Sequence, residues 1–182
     1  MVSAAPAIAT WQIDTGHSLV EFAVKHMMFT TTKGHFGEFS GSIAYDEANV
    51  GDSTVAVEIA AASIDTRDEK RDTHLRSGDF FDAETFPTIT FASNRVESTG
   101  GAEFKVYGDL TIRGVTRPSV LDAEVTGRGT SPWGQDVIGF SATTKFKRSE
   151  FGLEWNAALE TGGVLVGDEV KIALEIEAAK QV

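Results

Sequence analysis

Three histidines near the N-terminus have the spacing that most readily suggests chemistry. His17, His26 and His35 each follow the previous one by nine residues, and equal spacing in a series of hairpins can bring side chains together on neighbouring strands. Because imidazole nitrogens are common metal ligands, one hypothesis is a metal-binding protein or metal-dependent enzyme that uses these three residues. His26 also shares an apolar face with Phe22 and Val24, where a histidine more often lines a core or a cavity. Both interpretations stay open.

The densest group of ionisable side chains lies between residues 66 and 77. Its charged members include Asp68, Glu69, Arg71, Asp72 and Arg76. Acid–base catalysis is one interpretation, but such a run is more typical of a solvated helix with short-range ion pairs. Arginine forks also suit phosphate, so Arg71 and Arg76 are candidates for contact with an anionic head group. The sequence contains no cysteine, no Gly-x-Ser-x-Gly elbow and no glycine-rich phosphate loop.

Apolar and polar residues alternate through most of the chain. This pattern indicates the strands that position the histidines and the charged run. Val20, Phe22 and Val24, for example, alternate with Glu21 and Lys25 around Ala23, as in a strand with one face toward an apolar interior. Strands are predicted near residues 10–15, 17–29, 35–46, 52–64, 87–97, 102–113, 115–127, 135–149 and 166–179.

Long strands in sequential hairpins favour an up-and-down barrel, which leaves no exposed sheet edge. The pattern therefore predicts an all-β, elongated antiparallel barrel. Within the third predicted strand, the apolar parity shifts between Phe36 and Phe39, and this predicts a bulge near Gly37.

Two segments depart from the strand pattern. Thr66 and Glu69 have the spacing of a capping box, which predicts a short polar helix over residues 67–77. A second helical turn is predicted over residues 155–160.

The segment 66–86 is expected to close part of the barrel. Its polar helix has too few apolar residues to be held as an amphipathic core helix, so its anchorage is expected from Leu75, Phe80 and Phe81. Two buried phenylalanines contribute roughly 1.5–3 kcal/mol each, enough to dock a short helix and little enough to let it open. Replacing both with alanine is therefore expected to loosen this segment while much of the barrel stays folded.

Composition limits the function classes. The 182 residues suffice for one domain, and the formal net charge of −11 argues against binding a nucleic-acid backbone. No apolar run approaches the roughly 20 residues of a transmembrane span. Residues 1–9 are interpreted as a flexible leader and 10–182 as a single domain. Without a basic signal-peptide start, the expected location is cytoplasmic, or periplasmic or secreted if the true N-terminus was removed.

Several ordered motifs resemble one known family, the YceI-like family. The first are Asp14-x-x-His17-Ser18 and Gly34-x-Phe36-x-x-Phe39-x-Gly41. The most distinctive is Arg71-Asp72-x-His74-Leu75-Arg76-Ser77-x-Asp79-Phe80-Phe81-Asp82, running into Phe86-Pro87-x-Ile89-x-Phe91. Gly108-x-Leu110-x-Ile112-Arg113-Gly114 and Arg148-x-x-Phe151-Gly152 follow in order. The ordered set covers roughly residues 10 to 180 and is specific because of its order.

This resemblance implies a lipocalin-like barrel of about eight strands with one or two short helices. It also implies non-catalytic binding, transport or storage of a long apolar molecule, such as a polyisoprenoid, an isoprenoid quinone or a related lipid, without a cofactor or metal. A homodimer is a family-level expectation. With Arg71 and Arg76, His17 and His74 are the residues expected to contact the ligand's head group. The residues expected to contact the ligand are Phe22, Val24, His26, Phe36, Phe39, Leu75, Phe80, Phe81, Phe91, Leu110, Phe140, Phe146, Trp155, Ile172 and Leu174. The residues alone leave open a barrel filled by its own side chains.

Overall fold

The computed structural model describes residues 8–182, which form eleven β-strands and one α-helix. The strands are β1 (Ala9–Ile13), β2 (Leu19–His26), β3 (Thr30–Phe36), β4 (Phe39–Tyr45), β5 (Thr54–Ala60), β6 (Ile64–Asp65), β7 (Thr88–Gly100), β8 (Glu103–Ile112), β9 (Val115–Thr130), β10 (Asp136–Lys147) and β11 (Val166–Lys180). The helix is α1 (Glu69–Arg76). Of the predicted leader, residues 1–7 lie outside the described residues, and Ala9 begins β1.

The strands close into an antiparallel barrel with eight positions around the ring. Five positions are the consecutive strands β7 to β11. Each of the other three consists of two successive strands separated by a short break: β1 with β2, β3 with β4, and β5 with β6. The ring closes because β11 pairs with both β1 and β2. The predicted up-and-down, lipocalin-like barrel of about eight strands is therefore confirmed.

The bulge predicted near Gly37 is a break between two strands. β3 ends at Phe36 and β4 begins at Phe39. Across this break the Gly37 N–H donates to the Ser63 carbonyl at 3.1 Å, and the Ala60 N–H donates to the Glu38 carbonyl at 2.9 Å. The parity shift thus marks the change from β3 to β4. Backbone groups at the break between β5 and β6 provide the hydrogen-bond partners of residues 37 and 38.

The strand predicted over residues 17–29 is too long, because a tight turn follows His26. Met27 and Met28 have φ values of 51° and 70°, and the Phe29 N–H donates to the His26 carbonyl at 3.3 Å. Two left-handed residues closed by this hydrogen bond form a type I′ hairpin turn. Such turns usually carry Asn-Gly, so the two methionines gave no turn signal, and residues 30–34 of β3 were missed.

The predicted polar helix is present, but its cap is not Thr66. α1 begins after Asp68, whose carboxylate accepts a hydrogen bond from the Arg71 backbone N–H at 3.1 Å. Thr66 is buried, and its N–H and hydroxyl both donate to Asp72 Oδ1. Thr66 therefore bonds to Asp72, six residues away, and does not form the expected capping box with Glu69. Within residues 8–182, no helix combines the length and hydropathy that a membrane span requires.

The second predicted helix, over residues 155–160, is wrong. This segment is extended and irregular, and Ala158 forms an isolated bridge with Val164. The Asn156 amide donates to the Val166 carbonyl at 2.7 Å and accepts from the Val166 N–H at 3.1 Å. These side-chain bonds compete with helical ones and hold the segment against the start of β11.

Candidate functional site

The inward-facing side chains of the barrel enclose a cavity of about 610 Å³ whose wall is predominantly apolar. Strands from all around the ring contribute to it, and the segment containing α1 covers part of one end. The volume lies within the roughly 300–1,000 Å³ of pockets that hold small molecules. The barrel is therefore hollow, which answers the question that the residues alone left open.

Every residue that the sequence predicts as ligand-contacting lies on this cavity wall. They are Phe22, Val24, His26, Phe36, Phe39, Leu75, Phe80, Phe81, Phe91, Leu110, Phe140, Phe146, Trp155, Ile172 and Leu174. Many of them were found through alternation, since alternate residues of a strand face the same side. Phe22, Leu110 and Leu174 are only half-buried, because the cavity leaves one side of each uncovered.

Aromatic rings shape both ends of the cavity. Near α1, the ring of Phe36 lies 5.7 Å from Phe22 and 5.9 Å from Phe81, centroid to centroid. At the other end, Tyr45 and Phe140 meet edge to face at 5.6 Å. Such pairs add roughly 0.5–1.5 kcal/mol beyond their buried area, so the apolar wall is held in place without a ligand.

The cavity has an opening between the end of β2 and the start of α1. The lining residues that are also exposed are Lys25, His26, Thr54, Asp68, Lys70 and Arg71. Except for Thr54, they lie at the end of β2 or at the start of α1. We call Lys25, His26, Asp68, Lys70 and Arg71 the mouth. Lys25, Asp68 and Lys70 were not predicted as site residues, because charged side chains at the ends of elements look like ordinary solvated surface.

The four head-group candidates lie in different places. Arg71 and His74 line the cavity, whereas His17 and Arg76 do not. His74 Nε2 bonds to Asp79 Oδ2 at 2.8 Å, and its ring packs edge to face on Trp155 at 4.6 Å. A hydrogen bond fixes the position of His74 beside the wall.

Polar contacts hold α1 in place, contrary to the expectation that apolar anchors alone would do so. Arg71 donates to the hydroxyl and the carbonyl of Thr66, both at 2.8 Å. Arg76 donates to the carbonyls of Ala62 at 2.9 Å and Ile64 at 3.3 Å. Asp72, which is buried, receives the two bonds from Thr66. The charged run is therefore partly a docking surface for the preceding segment.

Arg148 is a residue of the cavity wall that sequence reasoning missed. It is buried, it lines the cavity, and its guanidinium lies 6.0 Å from the centre of the Phe80 ring. It donates to four backbone carbonyls at 2.6–3.2 Å, those of Leu153, Trp155, Val166 and Gly167. Burial lowers the pKa of Arg148 from its ordinary value, and Asp168 opposes that shift. Arg148 therefore ties Leu153 and Trp155, in the irregular segment 153–165, to the start of β11.

The three equally spaced histidines do not form a metal-ligand group. Within residues 8–182, one group of three potential ligands comes together, Asp14 with His17 and Glu177. It contains neither His26, which lies at the mouth, nor His35, which is 3.9 Å from Asp65. Equal spacing failed as a guide, because His17 lies in a 3₁₀ turn. Although β2 and β3 are paired, their register places His35 opposite Glu21 and His26 opposite Thr30.

We expect His17 to titrate above the ordinary histidine value. Its Nδ1 bonds to Asp14 Oδ2 at 2.9 Å, and this hydrogen bond raises the pKa of His17 and lowers that of Asp14. The pair therefore stabilises the fold between these two shifted values. Its contribution is lost as pH rises through the pKa of His17 or falls through that of Asp14. An NMR titration should give a lower His17 pKa in Asp14→Asn; an unchanged pKa would contradict the pairing.

Comparison with known proteins identifies relatives over nearly the whole chain. The profile of the YceI-like domain matches residues 11–178. A UPF0312 protein of Vibrio cholerae is 40% identical over 148 residues, which cover 80% of this chain and 78% of that protein. A UPF0312 protein of Staphylococcus aureus is 37% identical over 171 residues, which cover 93% of this chain and 97% of that protein.

Solved structures share the barrel. BcnA of Burkholderia cenocepacia superposes with a TM-score of 0.80 at 28% identity, covering 91% of this chain and 98% of its own. The YCEI protein of Campylobacter jejuni gives 0.75 at 34% identity, covering 87% and 90%. A polyisoprenoid-binding domain of Saccharophagus degradans gives 0.67 at 15% identity, covering 94% and 98%, which is a likeness of fold.

Proposed function

This chain belongs to the YceI-like domain family, and on that basis we propose that it binds a long apolar molecule inside its barrel. The proposed ligand class is a polyisoprenoid, an isoprenoid quinone or a related lipid, carried or stored without chemical change. The observation that carries the proposal is the apolar cavity of about 610 Å³. The description of the Saccharophagus degradans neighbour as polyisoprenoid-binding supports the ligand class.

The chemistry of the wall favours an apolar chain over a polar ligand. A cavity lined by apolar groups gives water few hydrogen-bonding partners, so filling it with hydrocarbon costs little desolvation. Each buried methylene contributes about 0.8 kcal/mol, which corresponds to an affinity gain of about fourfold. Affinity should therefore rise with chain length until the cavity is full.

The ionisable groups along the wall support a binding role better than a catalytic one. Arg148 and Arg71 donate to backbone or hydroxyl oxygens, and His74 is bonded to Asp79. These groups have structural partners that fix their positions beside the wall. At the mouth, Lys25 and Lys70 are exposed cations, suited to the polar end of a lipid whose chain lies inside.

The proposal is tested by extraction and titration. Protein purified without a histidine tag is extracted with organic solvent and analysed by mass spectrometry. The stripped protein is then titrated with prenols of increasing length, using fluorescence from Trp155 on the wall and Trp155→Phe to assign the signal. We expect a co-purified lipid and affinity that rises with length. No lipid and no binding, or stoichiometric metal in the same sample, would contradict a non-catalytic carrier.

We expect Phe81→Ala to accelerate lipid release by at least about fivefold, since loosening this segment by about 1 kcal/mol changes a rate by that factor. Phe81 is half-buried on the cavity wall, and its N–H donates to the Leu75 carbonyl at 3.0 Å. Phe81 is a better position to substitute than Phe80. The Phe80 ring is buried and its carbonyl accepts a hydrogen bond from Arg113 at 2.8 Å, so a change at Phe80 is more disruptive to the fold.

Release is measured by stopped-flow transfer of a fluorescent prenol to acceptor vesicles. Phe86→Ala is the matched control, because Phe86 belongs to the same segment and is half-buried but does not line the cavity. Equal release from the Phe81→Ala and Phe86→Ala variants would show that Phe81 does not control exit.

A further inference from the structure

The tip of the β2–β3 hairpin exposes large apolar side chains. Met28 is 60% exposed and Phe29 70%, and Val164, on the adjacent segment, is 37% exposed. The two segments lie side by side, since the Met27 N–H donates to the Leu165 carbonyl at 2.8 Å. We call Met28, Phe29 and Val164 the apolar tip.

The backbone under the apolar tip adopts a conformation that its residues do not favour. Met27 and Met28 are left-handed, with φ of 51° and 70°, where asparagine and glycine are the usual occupants. Residues in strained conformations cluster at ligand-binding and switch regions. The turn holds apolar side chains out in solvent at a conformational cost, and neither feature stabilises the isolated barrel.

The apolar tip is continuous with the mouth of the cavity. Lys25 and His26 of the mouth directly precede the turn, and Leu165 beside it lines the cavity. The mouth has three cationic side chains, Lys25, Lys70 and Arg71, and one carboxylate, although the whole chain has a formal net charge of −11. Apolar groups next to cations at an opening are complementary to a bilayer with anionic head groups.

We propose that this end of the barrel docks onto an anionic lipid bilayer. Met28 and Phe29 enter the acyl-chain boundary, while Lys25, Lys70 and Arg71 lie at the level of the phosphates and the mouth faces the membrane. Docking of this kind lets an apolar ligand pass between the bilayer and the cavity without crossing water. This role of the contact rests on the proposed function. The docking itself is measurable without any ligand.

The first test uses vesicles of phosphatidylcholine with phosphatidylglycerol, containing no isoprenoid. Met28→Gly/Phe29→Ser removes two apolar side chains and places glycine at a left-handed position, so the hairpin keeps its fold. Trp133→Ser is the matched control, since Trp133 is 89% exposed in the turn between β9 and β10, at the opposite end of the barrel. We expect at least a tenfold loss of vesicle affinity in the hairpin variant alone. Wild-type protein that ignores vesicles, or equal binding by both variants, would overturn the proposal.

The second test locates the contact. The chain contains no cysteine, so Phe29→Cys and Trp133→Cys each accept one environment-sensitive dye. We expect a blue shift on adding vesicles for position 29 and none for position 133. A shift at position 29 that follows protein concentration without vesicles would assign the tip to contact between two copies of the chain and overturn bilayer docking.

A titration without vesicles separates this proposal from the proposed function. A short, water-soluble prenol should bind the Met28→Gly/Phe29→Ser variant and the wild type equally, because neither residue lines the cavity. Vesicle binding by a protein that takes up no prenol would support docking and contradict the lipid-carrier function. Prenol binding without vesicle binding would contradict docking alone.

Discussion

Replacing Ala142 with phenylalanine is expected to lower lipid affinity by about a hundredfold and leave the barrel folded. Ala142 lies midway along β10, is buried, and lines the cavity between Ala123 of β9 and Leu174 of β11. A ring at this position occupies space that the ligand's chain needs. Displacing about four methylenes removes about 3 kcal/mol of binding energy, which is about a factor of a hundred. Because Ala142 lines the cavity, the ring can extend into it, which lowers the usual cost of overpacking a core.

The matched control for this substitution is Thr143→Phe. Thr143 is the next residue of β10, is exposed, and faces away from the cavity. The two variants place a phenylalanine at adjacent positions of the same strand. They differ in whether the new ring faces the cavity or the outside of the barrel. Affinities are compared by prenol titration, and folding by circular dichroism. Full affinity in a folded Ala142→Phe variant would contradict binding inside the barrel.

Replacing Arg148 with methionine is expected to cost about 3–5 kcal/mol of unfolding free energy, because four backbone carbonyls lose a charged donor. Methionine retains much of the aliphatic packing but leaves the carbonyls of Leu153, Trp155, Val166 and Gly167 without their donor. Buried acceptors left unpaired cost about 1–3 kcal/mol each, and those near solvent recover part of that from water.

Urea denaturation of Arg148→Met measures this cost. Arg95→Met is the control, because Arg95 is exposed and pairs with Glu97 on the surface, an arrangement worth about 0–1 kcal/mol. Arg148→Lys retains the charge but not the planar fork that reaches several carbonyls, so we expect it to fall between wild type and Arg148→Met. A loss below about 1 kcal/mol for Arg148→Met would show that water replaces the guanidinium, contrary to this account.

Alternation along the strands was enough to predict the barrel and the cavity wall. Residues such as Phe22, Phe91 and Ile172 face inward because a strand has a period of two, and this holds whatever the neighbouring strands are. The hollow interior did not follow from the same pattern. Whether inward side chains meet across a barrel depends on its diameter, and the sequence pattern does not contain that dimension.

The missed features have both local and long-range causes. The turn at Met27 and Met28 lacks the residues that normally mark it, and the helix cap at Asp68 replaced Thr66 because Asp72 bonds to Thr66. Arg148 satisfies carbonyls up to 19 positions away. Local propensity and spacing describe neighbours in sequence, so they cannot reveal the partners of Arg148, which only the folded barrel brings near.

The most direct test of the account is a crystal structure of the protein with a long-chain prenol at saturating concentration. The account predicts continuous, elongated density along the cavity, in contact with Phe22, Phe91 and Phe140, with the polar end at the mouth near Lys25 and Lys70. An interior without lipid density, or prenol bound only on the outer surface, would contradict the claim that this barrel is a carrier for apolar molecules.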